Sequence, residues 1–281
     1  MQDSEPAWPL PPGVRTIDID GYPMAWREEG AGPPLVLVHG SFSDYRYWAP
    51  QVAAFAEKRR TMAVSLRRYF PEPWDGKGDD FSFRRHADDV AAFIRKLGLG
   101  KVALLGHSRG GAVVLEVAKR HPDVVGALIL SDASARLELA ETEENRTAAV
   151  WRDARFAELR AAAEAGDARG GAARFLDQLM GAGAWDALPA SKQQEMLDNL
   201  WTAVRDEPVP STSDADLRRF DFPILILLGE KSPPMYAVFA RAMREKAGFP
   251  EPVVIRGAGH AMNVQKPTAY NAAVLAFLDG R

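Results

Sequence analysis

The chain has 281 residues, of which 47% are hydrophobic and 26% are charged, and its formal net charge is -3 at pH 7. This length supports one sizeable core, so one domain with an insertion is favoured over two equal domains. The near-neutral charge gives no sign of nucleic acid or an anionic membrane as a partner. Because the sequence contains no cysteine, disulfides, zinc–thiolate sites and a cysteine nucleophile are excluded.

The first residues predict an arm followed by a hairpin. Residues 1–13 are rich in proline and should form an extended arm. They lack the basic and then apolar pattern of a signal peptide, and no apolar run approaches membrane-spanning length. We therefore expect a cytoplasmic protein with no membrane partner. Whether it forms a homodimer is left open. Residues 14–21 and 22–29 alternate apolar and polar side chains, which predicts an antiparallel hairpin at one edge of a sheet.

Short apolar runs and amphipathic segments alternate in the next hundred residues. The apolar runs predict buried strands at 35–38, 61–66, 101–105 and 125–130. The amphipathic segments predict helices at 44–57, 83–97 and 112–120. This alternation indicates an α/β fold with a mostly parallel sheet and helices on both faces. Between the second run and the following helix, residues 67–78 form either a packed loop lining a pocket or a surface loop held by Trp74.

Residues 135–217 break the alternation. They are rich in alanine, glutamate, arginine and leucine, several glycines interrupt them, and no strand pattern is evident. We interpret them as a helical cap inserted over the carboxyl edge of the sheet, although a separate small domain is the alternative. Strands resume at 223–229 and 252–255, and a last helix spans 267–278. The core therefore comprises residues 14–134 and 218–281.

The most informative stretch runs from Gly106 through Ser108 to Gly110. It lies between the predicted strand at 101–105 and the predicted helix at 112–120, and the serine has a glycine two residues to either side. A sharp strand-to-helix turn of this kind exposes the serine hydroxyl above the sheet, and it needs glycine where a Cβ would collide with the backbone. The backbone N–H of Arg109 would point from a helix N-terminus, where an anion is favoured.

Together, this turn, the His39-Gly40 turn after an apolar strand, the helical insertion and the late Gly257–His260 segment resemble the α/β-hydrolase superfamily, in its capped esterase and lactonase branch. The resemblance covers residues 14–280. It implies an eight-stranded, mostly parallel sheet, Ser108 as nucleophile and His260 as the base that activates it. It implies no cofactor.

The acid of the triad departs from the commonest family pattern. That pattern places an aspartate three residues after the glycine that closes the seventh strand, where this chain has Ser232. A family variant places the acid after the sixth strand, as in zearalenone lactonases and haloalkane dehalogenases, and Asp132 stands there. We therefore favour Asp132, with Glu230 as the alternative acid.

The resemblance also suggests residues that bind the substrate and the oxyanion. Backbone N–H groups of Ser41 and Arg109 would form the oxyanion hole, with Phe42 as a near alternative to Ser41. We expect the pocket to be lined by Phe42, His107 and Trp185. His39 should brace its turn, and His86 and His121 should lie on helix surfaces. The histidine, aspartate and glutamate residues are not spaced in the sequence as metal ligands are, so no metal is expected.

These observations predict a serine hydrolase that cleaves a small-molecule carboxylic ester or lactone through an acyl-enzyme. Two alternatives remain open. The same triad would serve a hydrolase of carbon–carbon bonds, and a hydrolase-like receptor would bind a ligand without turning it over. A dehalogenase or epoxide hydrolase with a nucleophilic aspartate is disfavoured because position 108 is serine.

Overall fold

A computed structural model describes residues 6–137 and 143–280. Its ten strands are β1 (Arg15–Ile19), β2 (Tyr22–Glu29), β3 (Pro34–Val38), β4 (Arg60–Val64), β5 (Val102–His107), β6 (Val125–Ser131), β7 (Arg136–Leu137), β8 (Ser211–Thr212), β9 (Ile224–Gly229) and β10 (Val253–Ile255). Eight of them form one sheet in the order β1-β2-β4-β3-β5-β6-β9-β10. β2 runs antiparallel to both of its neighbours, and all other neighbouring pairs are parallel. The predicted eight-stranded α/β fold is confirmed, with the β1–β2 hairpin at one edge.

The α-helices of the described residues are α1 (Ala49–Ala56), α2 (Phe83–Lys96), α3 (Arg109–Arg120), α4 (Glu143–Glu164), α5 (Ala168–Met180), α6 (Ala190–Asp198), α7 (Leu200–Val204), α8 (Asp214–Arg218), α9 (Pro234–Ala247), α10 (Met262–Gln265) and α11 (Pro267–Asp279). The helix predicted over 44–57 is a 3-10 turn at Tyr45–Trp48 followed by α1. The helix α9 was not predicted from the sequence.

Both faces of the sheet are covered, which explains why its central strands are apolar without alternation. Val36 and Val38 of β3 belong to the hydrophobic cluster that includes α2, α3 and α9. Leu35 and Leu37 of the same strand point to the opposite face and join the cluster of α1 and α11. The carboxyl ends of β3, β5, β6 and β9 are thereby fixed side by side, and their loops meet at one edge.

Helices α4 to α7 form a helical insertion between β6 and β9. They share a hydrophobic cluster that includes Leu159, Ala172 and Trp185, and the core loop after β3 contributes Phe42 to it. The prediction that residues 135–217 contain no strand is wrong in detail, because β7 and β8 pair in parallel where the insertion leaves and rejoins the core. Two-residue strands are too short to leave a periodic signal in the sequence.

Two further predictions concern irregular segments. Residues 1–5 of the predicted arm lie outside the described residues, and Trp8 in its remainder lies 6.5 Å from the ring of Tyr22. Residues 67–78 form no regular structure, and Arg67 in this segment is buried against Asp89 with N–O distances of 2.8 and 3.0 Å. This loop is packed, but none of its residues lines the cavity described below.

Candidate active site

Ser108 occupies the sharp turn between β5 and α3, with a backbone φ of 52°. A positive φ is strained for a residue other than glycine, and such strain is common at active sites. A Cβ on Gly106 would overlap the carbonyl of Gly110, and a Cβ on Gly110 would overlap the carbonyl of Val38. The two glycines are therefore required by close backbone contacts, and Ser108 is left partly exposed at the cavity.

His260 and Asp132 approach each other at the same edge of the sheet. His260 lies in the loop between β10 and α10, and Asp132 directly follows β6. The distance from His260 Nδ1 to Asp132 Oδ2 is 3.0 Å, and both side chains are buried. This contact leaves Nε2 as the imidazole nitrogen that faces the cavity.

Asp132 is held by two further donors. The Ser232 hydroxyl donates to Oδ2, and the Gly229 N–H donates to Oδ1 at 3.3 Å. The backbone of Asp132 has a positive φ of 38°. By contrast, Glu230 accepts a hydrogen bond from the Gly257 N–H at 2.8 Å and makes no contact with His260. Of the two acids considered in the sequence analysis, the structure brings Asp132 to His260.

Tyr236, near the start of α9, contacts the candidate base and was not anticipated. Its ring stacks on that of His260, with centroids 4.6 Å apart and an interplanar angle of 10°. Its hydroxyl lies 3.3 Å from His260 Nε2 and within hydrogen-bonding reach of Ser108. Burial, and then the charge of Asp132, raise the pKa of Tyr236, so the hydroxyl remains a proton donor at neutral pH.

His39 and His107 support the site as neutral side chains. His39 Nε2 accepts from the Leu66 N–H at 3.1 Å, which braces the turn as expected. His107 Nε2 lies 2.8 Å from the carbonyl oxygen of His260. Burial lowers the pKa of His39 to about 4 and the pKa of His107 well below its ordinary value. Both rings therefore fix backbone positions without carrying charge.

The candidate oxyanion donors lie next to Ser108. A Cβ on Gly40 would be 3.1 Å from the Ser108 Cβ, so the turn that carries Ser41 touches the nucleophile. Arg109 is the first residue of α3, where a backbone N–H has no partner within the helix. Ser41 and Arg109 both line the cavity, and Phe42 lines it too, with a φ of 59°.

A cavity of about 650 Å³ lies between the sheet edge and the helical insertion. Ser108, His260 and His107 form part of its wall on the core side, and Phe156, Phe175 and Met180 contribute apolar surface from α4 and α5. Trp185 was predicted to line the pocket, but the cavity wall does not include it. Its side chain is buried in the hydrophobic cluster of the insertion, where packing rather than substrate contact accounts for the aromatic residue.

His86 and the Arg109 side chain lie in one buried cluster. His86 was expected on a helix surface, but it is fully buried, and its Nδ1 lies 3.0 Å from Arg109 Nη1. Arg109 Nε donates to Asp206 at 2.9 Å. Burial, and then the charge of Arg109, lower the pKa of His86 well below its ordinary value. His121 is half-buried and pairs with Asp88 at 2.7 Å.

Neither a metal cluster nor a membrane span is found among residues 6–137 and 143–280. No group of three or more histidine, aspartate and glutamate side chains there is placed to hold a metal ion. No helix in the same residues combines the length and apolar character needed to cross a bilayer.

Comparisons with known proteins agree with the fold. The sequence model of the alpha/beta hydrolase family matches residues 35–273, so the chain belongs to this family. It is 25% identical over 271 residues to the 2-(acetamidomethylene)succinate hydrolase of Mesorhizobium japonicum, covering 94% of this chain and 95% of that protein. It is 28% identical over 262 residues to an uncharacterized carboxylesterase, nap, of Bacillus subtilis, covering 88% and 79% respectively.

Solved structures give the same result for the fold. The thermophilic esterase from Thermogutta terrifontis superposes with a TM-score of 0.73 at 25% identity, over 94% of this chain and 96% of that chain. Carboxylesterase CesB (YbfK) from Bacillus subtilis superposes with a TM-score of 0.77 at 18% identity, over 98% and 94%. These similar proteins are hydrolases, including esterases.

Proposed function

We propose that this protein is a serine hydrolase that cleaves a small-molecule carboxylic ester or lactone. The observation that carries the proposal is the contact between His260 Nδ1 and Asp132 Oδ2, made beside a serine in a strained strand-to-helix turn. A histidine oriented in this way presents its other nitrogen as a base. The similarity to a carboxylesterase supports an ester as the substrate.

The chemistry follows from the positions of these groups. His260 Nε2 takes the proton of Ser108 as the hydroxyl oxygen attacks the substrate carbonyl, and the Asp132 carboxylate stabilises the resulting imidazolium. His260 then gives its proton to the departing alkoxide, which leaves an acyl group on Ser108. Water, deprotonated by His260, attacks this acyl group and releases the acid. For a lactone, the alcohol and the acid remain one molecule.

The oxyanion is stabilised by the backbone N–H groups of Arg109 and Ser41. Each such donor typically lowers the barrier by about 3 kcal/mol because it is fixed before the charge develops. The helical insertion acts as a cap, since its apolar side chains form the far wall of the cavity. A cap of this kind excludes bulk water and strengthens the interactions with the oxyanion.

The test is hydrolysis of a substrate panel by the wild type and by Ser108→Ala. The panel contains short and long p-nitrophenyl esters, several lactones and one vinylogous diketone. We expect ester or lactone turnover that is lost in Ser108→Ala. Turnover of the diketone alone would replace this proposal by carbon–carbon hydrolysis. No turnover above the Ser108→Ala background would favour a ligand receptor.

A further inference from the structure

The cavity beside Ser108 carries more cationic than anionic groups. Arginine and lysine side chains line it together with two carboxylates: Arg109, Arg152, Arg155, Lys192, Glu195 and Asp206. Most of this charge is paired within the protein. Lys192 contacts Glu195 at 2.6 Å, and Asp206 is shared between Arg109 at 2.9 Å and Arg152 at 2.8 Å. Arg152 also contacts the exposed Asp153 at 3.1 Å.

Arg155 differs from these cations because the described residues offer it no carboxylate. Its Nη1 donates to the carbonyl oxygen of Trp151 at 2.8 Å, and its guanidinium lies 4.0 Å from the centroid of the Trp151 ring. Its Nε is shielded from solvent and has no hydrogen-bond partner. The side chain is thus oriented by a carbonyl and a ring, and no carboxylate among the described residues neutralises its charge.

The unused edge of Arg155 is the one that other arginines of this chain present to carboxylates. Arg60, Arg67 and Arg120 each donate from Nε and Nη2 to the two oxygens of one carboxylate, Glu28, Asp89 or Asp88. This paired geometry is the strongest way in which arginine binds a carboxylate. In Arg155, Nη1 is occupied, and the edge formed by Nε and Nη2 has no partner among the described residues. Because Nε is shielded in this structure, a carboxylate would contact Nη2 first and reach Nε after a small rotation of the side chain.

Arg155 is half-buried, and a guanidinium in such a position without a counter-ion is less well solvated than one in bulk water. Phe156 and Phe175 line the same cavity and present apolar surface to it. An anionic group on the substrate would supply the missing partner. We propose that the substrate carries a carboxylate besides the bond to be cleaved, and that Arg155 binds this carboxylate. This inference rests on the proposed function and narrows it to monoesters of dicarboxylic acids or to comparable carboxylate-bearing lactones.

The experiment compares two esters that differ only in charge. One is the mono-p-nitrophenyl ester of adipic acid, and the other is its methyl ester, which is neutral. We expect the wild type to prefer the anionic ester in kcat/KM by about tenfold or more, the effect typical of a hydrogen bond to a charged group. Arg155→Gln should remove most of this preference. Arg155→Lys keeps the positive charge but lacks the planar guanidinium with its paired donors, so it should retain part of the preference.

Arg174→Gln is the matched control. It removes the same charge from the insertion at a side chain that is 58% exposed and outside the cavity, so the preference should persist. Equal turnover of the two esters by the wild type would overturn the proposal. A preference that survives unchanged in Arg155→Gln would also overturn it.

A binding measurement separates this inference from the proposed function. If neither ester is hydrolysed above the Ser108→Ala background, the hydrolase proposal fails, and calorimetry on Ser108→Ala decides the remaining question. Binding of monomethyl adipate that is stronger than that of dimethyl adipate, and that is lost on adding Arg155→Gln, would support the carboxylate site. Absence of this difference would overturn it.

Discussion

The hydroxyl of Ser232 donates a hydrogen bond to Oδ2 of Asp132, the oxygen that also contacts His260 Nδ1 at 3.0 Å. Ser232 stands at the position where the family resemblance led us to expect an aspartate, so this position and Asp132 lie side by side in space. The Asp132 carboxylate comes from the loop after β6, and Ser232, in the loop after β9, stabilises it. This contact explains how the site keeps an acid at His260 while its usual position holds a serine.

Replacing the acid should abolish most of the activity. Asp132→Asn removes the charge that stabilises the imidazolium and favours the wrong tautomer of His260, so kcat should fall by about 10³- to 10⁴-fold. Glu230→Gln should change kcat by no more than about threefold, because the Glu230 side chain accepts a hydrogen bond from the Gly257 N–H, away from His260. Steady-state kinetics with the best ester measures both variants. Collapse of turnover in Glu230→Gln alone would show that the acid has been assigned wrongly.

The contact between Ser232 and Asp132 predicts that the acid can be moved. Ser232→Asp in the Asp132→Asn background places a carboxylate near the same oxygen position, so kcat should recover by about tenfold or more over Asp132→Asn. Asp132→Asn combined with Ser232→Asn is the control, because it matches the new side chain in shape and lacks its charge. Equal kcat values for the two double variants would contradict this arrangement.

The hydroxyl of Tyr236 should assist His260 without being essential. Tyr236→Phe keeps the ring stacked on the imidazole and removes a donor 3.3 Å from Nε2. We expect kcat to fall by about fivefold, the effect of one neutral hydrogen bond, with little change in KM. An altered melting temperature with an unchanged kcat would indicate a structural role only.

The buried neutral histidines should make the fold sensitive to mild acid. The pKa of His39 is about 4 in the fold and about 6.5 in the unfolded chain, so below pH 6.5 the unfolded state binds more protons. The contribution of His39 to the free energy of unfolding is therefore fully present above pH 6.5 and is lost as the pH falls toward 4. Between pH 7.5 and 5 the loss from His39 alone is about 2 kcal/mol.

Urea unfolding at pH 7.5, 6 and 5 tests this dependence. His39→Gln should unfold more easily at pH 7.5 and show a smaller decrease toward pH 5 than the wild type. His121→Gln is the control, because His121 is half-buried at the surface and pairs with Asp88. A wild-type free energy of unfolding that stays constant over this range would rule out buried neutral histidines as a source of acid sensitivity.

Local sequence patterns sufficed for the sheet and for the turn at Ser108. Gly106 is required by its contact with Gly110 inside the turn, and Gly110 by its contact with Val38 at the end of the neighbouring strand β3; the short motif records both. Asp132 was predictable only because Ser232 cannot act as the acid, which directed attention to the other family position. Ser108 and Asp132 each directly follow a strand of the sheet, so the end of that strand determines where they lie.

Side chains brought together by long-range packing could not be predicted in the same way. Tyr236 contacts His260 only because α9 packs against the sheet. The apolar spacing of Met235, Phe239 and Met243 is typical of a helix but does not predict this contact. His86 resembles a surface residue until Arg109 and Phe81 cover it. Trp185 could equally have faced a substrate or a hydrophobic cluster, and its type does not distinguish the two.

The central claim is that Ser108 carries the acyl group during turnover. Acid quenching of the wild type during hydrolysis of a p-nitrophenyl ester, followed by trypsin digestion and mass spectrometry, tests it directly. Cleavage after Lys101 and Arg109 releases the segment 102–109, in which Ser108 is the only serine. We expect the acyl mass on Ser108 in this peptide and its absence in Ser108→Ala. Turnover with the acyl group on another peptide, or with no acylated peptide while Ser108→Ala stays active, would contradict the claim.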